Sequence, residues 1–214
     1  MKGFHRACLL VFVALLSASG VGCAGAVGST PPPKMPAAAP AAAAKLPGNL
    51  EIYATTTIGG GWRCEVGAKL AGDLLQEQPV VYLAKPVGKI AWHKSLGVPE
   101  HFYQGRATHC VASGDQVYVL VQLDTDSRQS LNQTVLRVVA LDRKTGAWIA
   151  GRDVDVPGTA SAYTSWVDEG SRHFRLEGNR LVIAGEYQSL ADRDSGSGAA
   201  PKAFVVELSA DPHR

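Results

Sequence analysis

Residues 107–123 read ATHCVASGDQVYVLVQL, and residues 135–153 read VLRVVALDRKTGAWIAGRD. Apolar residues here come in short alternating or continuous runs rich in β-branched side chains. Each run stops at turn material, Ser113-Gly114-Asp115 in the first stretch and Arg143-Lys144-Thr145-Gly146 in the second. Runs of this length, composition and punctuation describe strands rather than helices.

The same pattern extends in both directions. Upstream it predicts strands over Leu50–Thr56, Trp62–Val66, Val80–Ala84, Lys89–His93, Thr108–Ala112 and Gln116–Leu123. Downstream it predicts Val135–Leu141, Trp148–Asp153, Thr164–Val167, His173–Leu176, Arg180–Tyr187 and Ala203–Leu208, with Glu177-Gly178-Asn179 as a further tight turn. The helical period is nearly absent. Ala68 to Gln76 (AKLAGDLLQ) is the one stretch expected to form a two-turn helix.

The chain repeats itself. His109 to Val119 aligns without a gap on His173 to Ile183, and Leu136 to Asp142 aligns on Ala203 to Ser209 past a longer loop. Each unit is a strand, a Gly turn, a longer strand, a variable loop and a third strand. The first unit, about 107–153, adds a fourth strand at Trp148–Asp153; the second, about 171–209, lacks it.

Gly114-Asp115-Gln116-Val117-Tyr118-Val119, then Leu136 to Asp142, then Thr145-Gly146-Ala147-Trp148, resembles one blade of a quinoprotein-like (PQQ-like) β-propeller. The resemblance covers roughly residues 107–153, with a weaker second copy. It implies four-stranded antiparallel meanders and says almost nothing about activity. A closed propeller needs at least about four such blades, whereas residues 48–214 supply two to three. The expected fold is therefore all-β, an incomplete propeller or small β-sandwich, with closure through a homo-oligomer as the alternative.

Ahead of this domain the composition changes. Met1 to Arg6 is short and basic, Ala7 to Leu16 is apolar, and Ser17 to Gly22 is small and weakly polar. That three-part form is expected of a secretory signal over residues 1–22. Gly20-Val21-Gly22-Cys23 resembles the lipobox of bacterial lipoproteins, which implies acylation of Cys23 and an outer-membrane address facing the periplasm. Gly20 departs from the aliphatic residue usual in that family. Ala24-Gly25-Ala26 offers a competing cleavage site that would leave a soluble periplasmic protein. Residues 23–47 carry Pro31, Pro32, Pro33, Pro36, Pro40 and Pro47 among alanines, the composition of a disordered, semi-extended tether.

Charge and cysteines narrow the function classes. Lys2, Arg6, Lys34 and Lys45 precede Gly48 and no acidic residue does, so residues 48–214 carry 17 basic and 19 acidic side chains. Without a basic block, a nucleic-acid partner is not expected. Cys8 falls within the leader. Cys64 and Cys110 remain in the domain, either as a disulfide suited to an oxidising compartment or as two buried thiols.

No residue set points to catalysis, a cofactor or a metal. His93, His101 and His109 are too far apart in sequence to fix a zinc geometry. His109 and Cys110 are adjacent on a strand and point to opposite faces, which disfavours a thiolate–imidazole pair. Asp124-Thr125-Asp126-Ser127 and Asp192-Arg193-Asp194-Ser195 occupy the same loop of the two repeats. The second faintly resembles a calcium loop, but solvated hairpin tips account for both. Gly59-Gly60-Gly61 lacks the Lys-Ser/Thr of a phosphate loop. Trp62, Trp92, Trp148 and Trp166 are expected to pack within and between sheets. The expected function is non-catalytic binding of another envelope protein. A small-ligand or glycan-binding module and a small hydrolase without a recognisable motif stand as alternatives.

Overall fold

The computed structural model describes residues 49–70, 76–125, 132–159, 161–196 and 198–211. These residues form three antiparallel sheets that follow one another along the chain. The first is β1 (Leu50–Ile58), β2 (Trp62–Leu70), β3 (Glu77–Ala84) and β4 (Ile90–Ser95), hydrogen-bonded in that order, with a 3-10 turn at Gly59–Gly61. The second is β5 (Phe102–Ser113), β6 (Gln116–Thr125), β7 (Thr134–Asp142) and β8 (Trp148–Asp153), again in chain order. The third contains β9 (Tyr163–Trp166), β10 (Phe174–Glu177), β11 (Arg180–Ser189) and β12 (Lys202–Ser209), with a short helix α1 (Leu190–Asp194) before β12. Its order is β10-β11-β12. β9 pairs with Glu186–Ser189 and β10 with Arg180–Ile183, so β9 and β10 lie end to end along one edge of β11. The fold is all-β, as expected, and among the described residues no sheet closes on itself.

The two repeats share one register. Cys110 faces Val119, and Phe174 faces Ile183, 64 positions further on in both strands. On the other side, Val139 faces Val119 and Val206 faces Ile183. The two-residue turns at Gly114-Asp115 and Gly178-Asn179 fix this register, because a hairpin loop of set length leaves one pairing.

The central sheet explains the continuous apolar run that dominates the sequence. On β6, Val117, Val119, Val121 and Leu123 face the first sheet, where they meet Cys64, Val66, Val81 and Leu83. The alternate residues Tyr118 and Leu120 face the third sheet and pack with Phe174, Leu181, Ile183 and Phe204. A strand buried on both faces has no polar period to show. Each fully buried aliphatic or aromatic side chain stabilises the stack by roughly 1.5–3 kcal/mol.

The expected helix over Ala68 to Gln76 is overturned. Ala68, Lys69 and Leu70, read as the start of a helix, continue β2 and pair with Pro79, Gln78 and Glu77. The pairing with β3 outweighs a helix propensity worth only tenths of a kcal/mol per residue. Residues 71–75, the rest of that stretch, lie outside the described residues, as do the leader, Cys23, the tether, Asp126 and Ser127.

Candidate functional site

The first and second sheets are locked together covalently. Cys64 on β2 and Cys110 on β5 form a disulfide with Cα atoms 6.4 Å apart, inside the core between the first two sheets that both residues join. The Asp142–Gly146 turn makes a second tie. The Asp142 carboxylate accepts from the Lys144 and Thr145 amides at 3.0 and 2.8 Å and from the Thr145 hydroxyl at 2.7 Å. The Thr145 hydroxyl and amide hold that carboxyl below its ordinary range. Gly146 closes the turn at φ 70°. The Trp92 ring of the first sheet lies so close that a Cβ there would come within 2.8 Å of it, while the Trp92 indole donates to the Arg143 carbonyl at 2.9 Å. The Thr-Gly signature of the sequence thus seats a neighbouring tryptophan.

A polar cluster ties the same two sheets at another point. Tyr53 on β1 donates to Glu77 at 2.7 Å, and Arg106 on β5 pairs with Glu77 at 3.7 Å and Asp124 at 2.9 Å. Gln104 and the Thr134 hydroxyl also donate to Asp124, at 2.9 and 2.6 Å. Burial, followed by the Glu77 hydrogen bond and charge, pushes the Tyr53 phenol well above its ordinary range. Every carboxylate here already has its donors, as a structural brace requires.

His109 joins the second and third sheets. It is buried, with Nε2 2.9 Å from the Asp168 carbonyl, Nδ1 3.0 Å from the Thr108 hydroxyl and its ring edge-on to Phe174. A carbonyl only accepts, so Nε2 carries the proton of the neutral ring. Burial pushes the imidazole below its ordinary value. Cys110 faces the other sheet, so His109 and Cys110 are not brought together.

Two open surfaces of the third sheet bear on binding. The first is the outer edge of β12, which pairs with β11 and, among the described residues, with no further strand. The Ala210 amide bonds the Asn179 carbonyl. That bond fixes the ladder so that the backbone groups of Ala203, Val205, Glu207 and Ser209 point away from β11. The Ser209 carbonyl is taken by Arg152 of the second sheet. Among the described residues, Ala203, Val205 and Glu207 have no such partner, and Val205 is 59% exposed.

The second surface is a groove of about 540 Å³ where the three sheets meet. Its floor includes Ile58, Val111, Phe174 and Leu176, and its rim carries Thr56, Thr57 and Arg172. It lies along β10, the opposite edge of the third sheet from β12.

The other sequence candidates scatter. His93 stacks on Tyr82, and His173 accepts from Arg172 Nε at 2.8 Å. Trp62 and Trp92 pack against the first core, whereas Trp148 is 46% exposed beside Leu96, Pro99 and Arg137. Asp192 and Asp194 sit in α1, and Asp194 pairs with Arg193. Among the described residues, no group of three or more His, Cys, Asp or Glu side chains is placed to hold a metal ion, and no helix is long and apolar enough to cross a membrane. The groove was missed in the sequence because its walls come from three separate sheets, and no local motif encodes their meeting. No protein-family model matches this sequence, and no curated protein matches it.

Proposed function

We propose that the protein is exported to the cell envelope, anchored by lipid on Cys23, and acts without catalysis by binding another envelope protein through the outer edge of β12. The observation that carries the binding site is the row of outward backbone groups at Ala203, Val205 and Glu207. Such groups recruit a strand from another chain unless they are blocked. Lys202 flanks this edge, and Arg152 covers its Ser209 end. The address rests on the tripartite leader and the lipobox-like Gly20-Val21-Gly22-Cys23. The tether at residues 23–47 would span at most roughly 75–80 Å at about 3.1 Å per residue, enough to let the edge search near an outer membrane. The Thr-Gly-Ala-Trp turn and the paired repeats support kinship with propeller blades of the quinoprotein-like type.

Two measurements test this reading. Mass spectrometry of the mature chain should find an acylated N-terminus at Cys23; a free N-terminus at Val27 removes the anchor. A photo-crosslinker at position 202 in intact cells should capture a distinct partner. Val205→Pro, which deletes one outward N–H and no ladder bond, should abolish that product. Unchanged crosslinks would remove β12 as the contact site.

A further inference from the structure

We infer that the groove along β10 is a second docking site, and that it takes an extended peptide segment bearing a carboxylate. The ladder argument applied to β12 holds at this edge too. The Ala184 amide bonds the His173 carbonyl, which leaves the backbone groups of Leu176 pointing away from β11 on the groove side. On β5, the Arg143 amide bonds the Asp115 carbonyl, and by the same alternation Ala112 turns its N–H and C=O away from β6. Ala112 lines the groove as well.

The shape favours a chain over a compact molecule. The groove is broad and open along one side, whereas a site for a small ligand encloses most of its surface. Ile58, Val111 and Leu176 supply an apolar floor for alternate side chains.

Charge selects the segment. The ionisable residues lining the groove are Arg172 and Arg175, with no acidic residue among them. Arg175 is already engaged by Glu177 at 2.6 Å. Arg172 spends its Nε on His173, and its terminal nitrogens have no partner among the described residues. That free end of a guanidinium matches the two oxygens of a carboxylate. The site lies on the edge of the third sheet opposite β12, so it stands whether or not β12 binds a partner.

The test uses the full-length protein and two fluorescein-labelled octapeptides, one alternating valine with glutamate and one alternating valine with glutamine, followed by fluorescence anisotropy. The glutamate peptide should bind about tenfold more tightly than the glutamine peptide, the gain expected of a charge-assisted hydrogen-bonded pair. Arg172→Gln, at an exposed position outside every ladder bond, should erase that difference. Val205→Pro should change neither peptide. Absence of binding at millimolar peptide overturns the inference. So does equal binding of the two peptides to the wild-type protein, or loss of binding in Val205→Pro with retention in Arg172→Gln. Competition by sodium acetate as strong as that by the glutamate peptide would reduce the groove to a simple anion site and overturn the peptide.

Discussion

Removing the Cys64–Cys110 disulfide should lower the stability of the domain by about 4 kcal/mol. The bridge spans 46 residues. The chain-entropy relation gives an unfolded-state penalty of roughly 13–14 cal/mol/K for a loop of that length, or about 4 kcal/mol at 25 °C. Both cysteines are buried, at 0% and 2% exposure, so Cys64→Ala/Cys110→Ala also leaves two small gaps in the core between the first two sheets. With a urea m value of about 2 kcal/mol per molar, the transition midpoint should fall by about 2 M. The assay is urea unfolding of oxidised wild type and the double variant, followed by tryptophan fluorescence and circular dichroism. The burial of both sulfurs adds a kinetic signature: thiol reductant should act on the wild type only at urea concentrations where it unfolds. A midpoint shift below about 0.5 M, or alkylation of Cys64 and Cys110 in the denatured, unreduced wild type, would refute the reasoning.

Three further outcomes follow from the packing. The pH dependence should track His109: burial lowers its folded-state pKa below the value near 6.5 of the unfolded chain, so the unfolded state binds the extra proton. Its contribution is complete above about pH 6.5 and is lost as the pH falls toward the folded-state pKa; thermal melts from pH 7.5 to 5 should show this slope, and His109→Gln should flatten it. Phe174→Ala should cost about 3–5 kcal/mol in denaturant titration, whereas Val205→Lys at the open edge should stay within about 0.5 kcal/mol. Gly67→Ala should be more damaging than its size suggests, about 3 kcal/mol or a failure to fold, because the new Cβ would lie 1.8 Å from the Glu51 carbonyl oxygen at the β1 bulge; a wild-type melting curve for that variant would show that the two strands separate freely.

The strands were legible where side-chain periodicity and turn residues agreed. Trp148–Asp153 matches its predicted bounds, and the Gly114 and Gly178 turns placed both repeat hairpins. The start of β5 was not legible. Gln104, Gly105 and Arg106 interrupt the apolar run, and two register shifts, at Phe102/Gln104 and Ala107/His109, break the alternation that a strand otherwise displays. The helix α1 was hidden because Leu190–Asp194 makes a single turn, too short for any period to show. The cysteine pair could be named in advance because only two cysteines, Cys64 and Cys110, lie in residues 48–214. The His109–Asp168 contact and the β10 groove could not, since each depends on how separate sheets stack.

The central position of the second sheet bears on how such a domain could be built and rebuilt. Each sheet is one uninterrupted stretch of chain, and its two cores join it to the sheets before and after it. A gene segment encoding one sheet could therefore be duplicated and appended without rewiring any strand. The same modularity makes the boundary between β8 and β9 a natural splice point for grafting. A transplanted third sheet needs a host face that accepts Phe174, Leu181 and Phe204 and partners for the Asp168 and Ser209 carbonyls, while its internal pairings travel with it.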